Sequence, residues 1–254
     1  MFGWRSLTAE IARWRAAGRR PRLWWRDDDA QTVTPQLHRL LLLAARADLP
    51  LCLAVIPEGL DAGLCAEIAP YGRIAVLQHG VRHKDDSGLP SEFHPDEESD
   101  RVARRLAEGW SKLDGFQRRL PVYVPPWNAL TPNVAIAVHL CGLQAVSGWN
   151  GLSRTRRIDA HIDLLRWKGG PRFAGRQRVL GRLTHALGLR RRRRLWGEPI
   201  GLLTHHLVHD EPAWRFLDQL LLSDALQGCV DWPSAEALFG LSGAVAPVGR
   251  PVAV

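Results

Sequence analysis

Three short stretches hold side chains able to do acid–base or metal chemistry: "RDDDA" from Arg26 to Ala30, "HGVRH" from His79 to His83, and "LLTHH" ending in His205 and His206, with His209 close behind. Two neutral imidazoles and one carboxylate make a three-ligand site with an open position, the arrangement that suits a divalent cation holding a reactive water. His79 and His83 are four residues apart, which brings both rings to one face of a helical turn or a tight loop. Adjacent carboxylates repel, and an acidic triplet alone is an ordinary solvated turn. Three in a row become tolerable where one neutralises a cation and another pairs with an arginine or accepts a proton.

Such groups need rigid elements behind them. Apolar runs rich in β-formers predict strands at "RLWW", "LPLCLAVIP", "RIAVLQH", "LPVYVPPW", "GLQAVSG", "HIDLL" and "PIGLLTHH". Between them, "TPQLHRLLLLAARA", "GLDAGLCAEIAP", "DEESDRVARRLAEGWSKL", "TPNVAIAVHL" and "EPAWRFLDQLLLSDAL" space apolar residues three or four apart. Thr34-Pro35, Thr131-Pro132 and Glu211-Pro212 mark helix starts. This alternation predicts an α/β fold, a single irregular (β/α) barrel of about seven strands in one domain over residues 1–254, with 1–22 an N-terminal helix and 241–254 an irregular tail. Chemistry in such folds gathers where strands end, because the following loops converge on one face. Arg26 to Asp29, His79 to His83, "PPWN", "IDLLRW" and "THHLVHD" all follow strands directly.

Composition narrows the function classes. With 46% hydrophobic residues among 254, the chain can bury a core of its own. No apolar run reaches the ~18 residues of a membrane span, and the first 22 residues alternate apolar and basic types, so no signal peptide is expected. Cys52, Cys65, Cys141 and Cys229 are scattered rather than paired, which favours reduced thiols and a cytoplasmic location. The formal charge of +8 is carried almost entirely by arginine, and the block from Arg190 to Arg194 lacks interleaved aromatics. We read that block as a solvated loop and discount nucleic acid as a partner.

In this order and at these strand ends, "RDDDA", "HGVRH", "VPPWN", "HIDLLRW" and "LLTHH" resemble the five-motif pattern of the polysaccharide deacetylase family, carbohydrate esterases with a chitooligosaccharide-deacetylase-type domain. The resemblance extends from about Leu23 to Asp210. It implies a deacetylase-type barrel with one divalent metal, zinc, and hydrolysis of an N-acyl or other carbon–nitrogen bond of a glycan or small molecule. It also implies Asp28 as the base, Asp29, His79 and His83 as metal ligands, and His205 as the acid. A shifted register would make Asp27 the base and Asp28 the ligand, and His206 competes with His205.

The sequence departs from the family at the third motif, where an arginine usually pairs with the base; Val124 stands there. Arg26 and Arg82 flank the motifs and are candidates to supply that charge. Pro125, Pro126 and Trp127 offer a rigid aromatic wall for a substrate, or a strand terminator with a core tryptophan. Asp163 and Trp167 match the fourth motif loosely, with Asp163 or His161 as the group that orients the acid. The long loop "KDDSGLPSEFHPDEE" is expected to be a solvated excursion, with His94 as a further possible ligand. A catalytically silent barrel binding a carbohydrate or partner in the same pocket is the alternative function, and an anion-binding surface at Arg190 to Arg194 the third.

Overall fold

The computed structural model describes residues 3–85, 88 and 90–241. All seven expected strands form, and all pair in parallel. They are β1 (Leu23–Ala30), β2 (Leu51–Val55), β3 (Ile74–His79), β4 (Arg119–Val124), β5 (Ala145–Val146), β6 (Ala160–Asp163) and, after a small hairpin of β7 (Leu165–Arg166) and β8 (Arg172–Phe173), β9 (Ile200–Thr204). The order across the sheet is β5-β4-β3-β2-β1-β9-β6. The sheet curls into a half-barrel, and two isolated bridges, Val146 with Arg157 and Trp149 with Ala160, link its edges.

Strand alternation divides the apolar residues into two cores. Trp24, Ala54, Ala75, Leu77, Val122, Val124, Ala160 and Leu203 fill the inside of the curl, plugged from below by Leu238 and Phe239 of α8 (Ala235–Phe239). Trp25, Leu53, Val55, Val76, Tyr123 and Leu202 face outwards into a larger core that the surrounding helices cover. The inside is tight. A Cβ on Gly201 would stand 2.6 Å from Trp24 Nε1 and 2.7 Å from Ala160 Cα, so only glycine lets β9 lie beside that indole.

The outer helices are α1 (Trp4–Ala16), α2 (Pro35–Ala47), α3 (Leu64–Ile68), α4 (Ser99–Lys112), α5 (Pro132–Leu140), α6 (Arg176–Arg192) and α7 (Glu211–Leu221). The predicted start signals hold at α2, where Thr34 accepts from the Leu37 N–H, and at α7, where Asp210 accepts from the Ala213 N–H. None of the helices among the described residues is long and apolar enough to cross a membrane. Of the expected tail, residues 242–254 lie outside the described residues.

The arginine block corrects the expectation of a solvated loop. Arg190, Arg191 and Arg192 are the last turn of α6, a helix held down by Val179, Leu180, Leu183 and Leu187. Arg190 is buried and donates to Pro199 O at 3.0 Å, and Arg191 Nε donates to the buried Glu10 of α1 at 2.6 Å.

Candidate active site

The acidic triplet closes β1, and alternation sends its members apart. Asp27 points outwards with Trp25, and Asp28 inwards with Trp24 and Arg26. At Asp29 the pairing with β2 slips between Asp27 and Ala30, and the backbone turns through φ 73°. Each carboxylate therefore meets different partners. Asp27 is fully buried and accepts from Thr204 Oγ1 at 2.6 Å, from the His206 N–H at 3.1 Å and from His206 Nδ1. Burial opposes its ionisation, but the His206 ring and the Thr204 hydroxyl hold its carboxyl below the ordinary value.

Asp28 lies against Arg26, whose side chain is wholly buried in the mouth of the curl. Arg26 Nη2 donates to Asp28 Oδ2 at 2.9 Å, and Nε stands 2.8 Å from Oδ1 as a charge contact without hydrogen-bond alignment. The rest of the guanidinium is occupied by Ser147 O and Oγ at 2.8 and 2.7 Å and by Asn128 Oδ1 at 2.8 Å. Arg26 is thus a support for Asp28 that does not reach the cavity.

Asp29 joins the two histidines. Nε2 of His79 and of His83 lie 3.1 and 3.4 Å from Asp29 Oδ1, and one ligand atom from each residue falls within 4.8 Å of the others. Around one ion with bonds of about 2.0–2.2 Å, neighbouring ligand atoms stand about 3–3.5 Å apart, so the donor set fits a small divalent cation. His79 Nδ1 lies 3.0 Å from Val124 O, which fixes a proton there and turns Nε2 towards Asp29 and the site. Burial works against the Asp29 carboxylate; the His79 hydrogen bond and the neighbouring imidazoles outweigh it and hold the carboxyl far below its usual range. Burial and His79 together push His83 down, towards the neutral form a metal requires.

No helical turn joins His79 to His83. The link is a tight loop in which Gly80 and His83 have φ of 58° and 52°. It is pinned by a residue the sequence reading did not single out. Glu92 is buried and accepts from the Val81 and Arg82 N–H groups at 2.9 and 2.7 Å. A Cβ on Gly80 would meet Glu92 Oε2 at 2.2 Å and Pro126 Cγ at 2.5 Å, so this turn requires glycine. The long loop is therefore no purely solvated excursion, since Ser91, Glu92 and Phe93 are all buried. His94 pairs with Asp96 and stays outside the cluster.

Asp28, Asp29, His79, His83 and His205 line one cavity of about 550 Å³. His205 and His206 separate as cleanly as the aspartates: His205 borders the cavity, and His206 sits behind it on Asp27. Trp167 stands edge-on over His205 at 4.7 Å, and Trp127 packs on His83 at 4.5 Å. Asp163 also lines the cavity, but its oxygens accept from the Leu165 N–H and Trp167 Nε1, both at 2.8 Å, and His205 Nδ1 has no hydrogen-bond partner among the described residues. Pro126 packs behind Gly80 rather than forming the expected wall, leaving that face to Trp127.

No family model matches the chain, and no curated protein sequence matches it. Solved structures do. A Mycobacterium smegmatis protein assigned to the polysaccharide deacetylases superposes with a TM-score of 0.54 at 14% identity, covering 87% of this chain and 90% of its own. A peptidoglycan N-acetylglucosamine deacetylase gives 0.53 at 11%, covering 86% and 88%, and a family 4 carbohydrate esterase from Bacillus anthracis gives 0.51 at 13%, covering 87% and 83%.

The fold is that of the polysaccharide deacetylases. Val124, which the sequence reading set at the third motif, ends β4 and is buried in the inner core. The cation that stands against Asp28 comes instead from two residues upstream on β1. Sequence reasoning also passed over Trp149, Arg166, Arg178 and Arg182 of the cavity wall. The last two lie on α6, and the Val179, Leu180, Leu183, Leu187 spacing was the available signal for that helix.

Proposed function

We propose that this chain is a divergent polysaccharide deacetylase, a metal-dependent hydrolase of N-acyl groups on a carbohydrate-like or small-molecule substrate. One observation carries the reading: an Arg26-supported Asp28, the Asp29, His79 and His83 donor set and His205 all meet at one cavity. A divalent cation such as zinc, held by that set, would supply Lewis acidity to the acyl carbonyl and to water. Asp28 takes a proton as the water oxygen bonds to the acyl carbon. Pro125 and Pro126 have no N–H, so Trp127 offers the only main-chain donor between Val124 and Asn128, and it donates to the acyl oxygen as charge builds there. His205 gives a proton to the nitrogen as the carbon–nitrogen bond breaks, releasing an amine and a carboxylic acid. Because β1 and β9 are neighbours, with Asp27 beside Thr204 in register, base and acid reach the substrate from adjacent strand ends.

Residues 1–254 act in this reading as one deacetylase-like domain. Four free cysteines support a reducing, cytoplasmic setting and a substrate found there. The silent-barrel alternative draws on Asp163 and His205, whose charges interact but which share no hydrogen bond among the described residues to orient the acid. Metal analysis combined with turnover of N-acetylated chitooligosaccharides and acetylated chromogenic esters separates the two. Stoichiometric metal with turnover supports the hydrolase; tight metal with no hydrolysis of any acyl substrate supports the binding module.

A further inference from the structure

The cavity has two chemically different sides. On the β1 and β3 side every charged group has a partner, as described for Arg26, Asp28, Asp29 and His79. On the opposite side stand Arg166 of β7 and Arg178 and Arg182 of α6, and none of the three has a carboxylate partner among the described residues. Arg178 and Arg182 are four apart and share one face of the helix. The same helix begins at Gly175, which supplies no capping side chain, and its first turn holds no acidic residue. Its N-terminal N–H groups and dipole thus add positive potential where those arginines stand. Arginines at the other end of this helix, Arg190 and Arg191, are held by Pro199 O and Glu10. Of the arginines on this helix, Arg178 and Arg182 are the ones that line the cavity.

A planar guanidinium fork matches the oxygens of a carboxylate or phosphate. Trp127, Trp149 and Trp167 line the same space and offer apolar faces to a sugar ring. We infer that the cavity takes an anionic N-acylated amino sugar, its phosphate or carboxylate seated on Arg178 and Arg182 with Arg166 beside them, and its acyl group at Asp29, His79 and His83. The inference rests on the deacylase reading and narrows it to a class of substrate.

The test compares zinc-loaded wild-type protein with the R178Q/R182Q variant on N-acetylglucosamine 6-phosphate, N-acetylmuramic acid and neutral N-acetylglucosamine, with melting curves to check the fold. We expect kcat/KM at least tenfold higher for one anionic sugar than for the neutral one, carried by KM, and a preference at least tenfold smaller in the variant. Which anion is preferred distinguishes phosphate from carboxylate. Neutral sugar hydrolysed as well as both anions overturns the inference and leaves the hydrolase standing, and a preference that survives both substitutions overturns the seat on α6. If no sugar turns over, calorimetric binding decides: anion affinity that falls tenfold in the variant keeps the anion site while the hydrolase reading fails, and absence of binding removes it.

Discussion

Residues 27–29 and residues 190–194 are both runs of like charge, one at the end of a strand and one at the end of a helix. In β1 the two-residue period throws Asp27 and Asp28 to opposite faces, and the slip at Asp29 aims the third acid along the cavity mouth. In α6 each residue advances about 100°, so Arg190 turns inwards, Arg191 turns to Glu10, and Arg192 stays exposed. The backbone period, rather than the charge, decides what each member meets. A strand divides a run between two faces within neighbouring residues, which is why the acids can hold three separate roles.

The sharpest way to break the comparison is to neutralise the acids singly. Asp28→Asn and Asp29→Ala are each expected to lower kcat/KM by ~10³-fold or more; Asp28→Asn also leaves the buried Arg26 cation unpaired and should cost about 3–5 kcal/mol, and only Asp29→Ala should also lose the metal, read by elemental analysis. Asp27→Asn should behave in the opposite way, costing about 2–3 kcal/mol of stability through its buried partners while metal content persists. Equal activity losses with equal melting points across all three would mean that alternation does not separate their roles.

Arg26 is the next largest effect. Removing it leaves the Asp28 carboxylate buried without its cation, and Arg26→Gln should cost about 3–5 kcal/mol in urea unfolding. Asp28→Asn added to Arg26→Gln should recover part of that loss, because the uncompensated charge is then gone. A double variant as unstable as the sum of the single ones would show that the two residues are not coupled.

Each run also has a half-buried neutral histidine beside it. Burial, with the Arg190 cation, pushes His161 from 6.5 down to about 4, and burial pushes His209 to about 4 despite Asp27 nearby. The unfolded chain binds these protons below 6.5 and the folded chain only below about 4, so stability is full above pH 6.5 and falls as the pH drops from there to 4, on the order of a few kcal/mol in all. His209→Gln and His161→Gln should each flatten the pH dependence of the urea midpoint between pH 7 and 5. A slope unchanged by both would place the acid sensitivity elsewhere.

Much of this was legible in the sequence because it depends on local pattern. The seven strands carried their own apolar runs, and the Thr34-Pro35, Thr131-Pro132 and Glu211-Pro212 signals marked where helices start. The position of His79 and His83 beside Asp29 followed from strand order. What was not legible depends on contacts made at a distance. Glu92 looked like one acid in an acidic loop, because nothing local reveals that the Val81 and Arg82 N–H groups need it. Arg26 was a candidate beside Arg82, and only the curl of the sheet, which brings Ser147 and Asn128 to its guanidinium, makes it the partner of Asp28. The α6 helix was missed because arginine drew attention away from its apolar stripe.

The smallest effect tests the far end of the second run. Arg191→Gln should cost about 1–2 kcal/mol, since Glu10 is buried and, among the described residues, keeps only Arg13 as an ion partner. Replacing Arg192, Arg193 and Arg194 together by glutamine should change stability by less than about 0.5 kcal/mol, because all three are exposed. The same triple variant bears on the anion-binding reading of this block. With Arg190 and Arg191 already occupied, only three cations remain to meet a polyanion, and they lie at the opposite end of α6 from Arg178 and Arg182. We expect the triple variant to elute from heparin at nearly the wild-type salt concentration and R178Q/R182Q to elute earlier. The reverse order would make the helix C-terminus, rather than the cavity, the seat of this protein's affinity for anions.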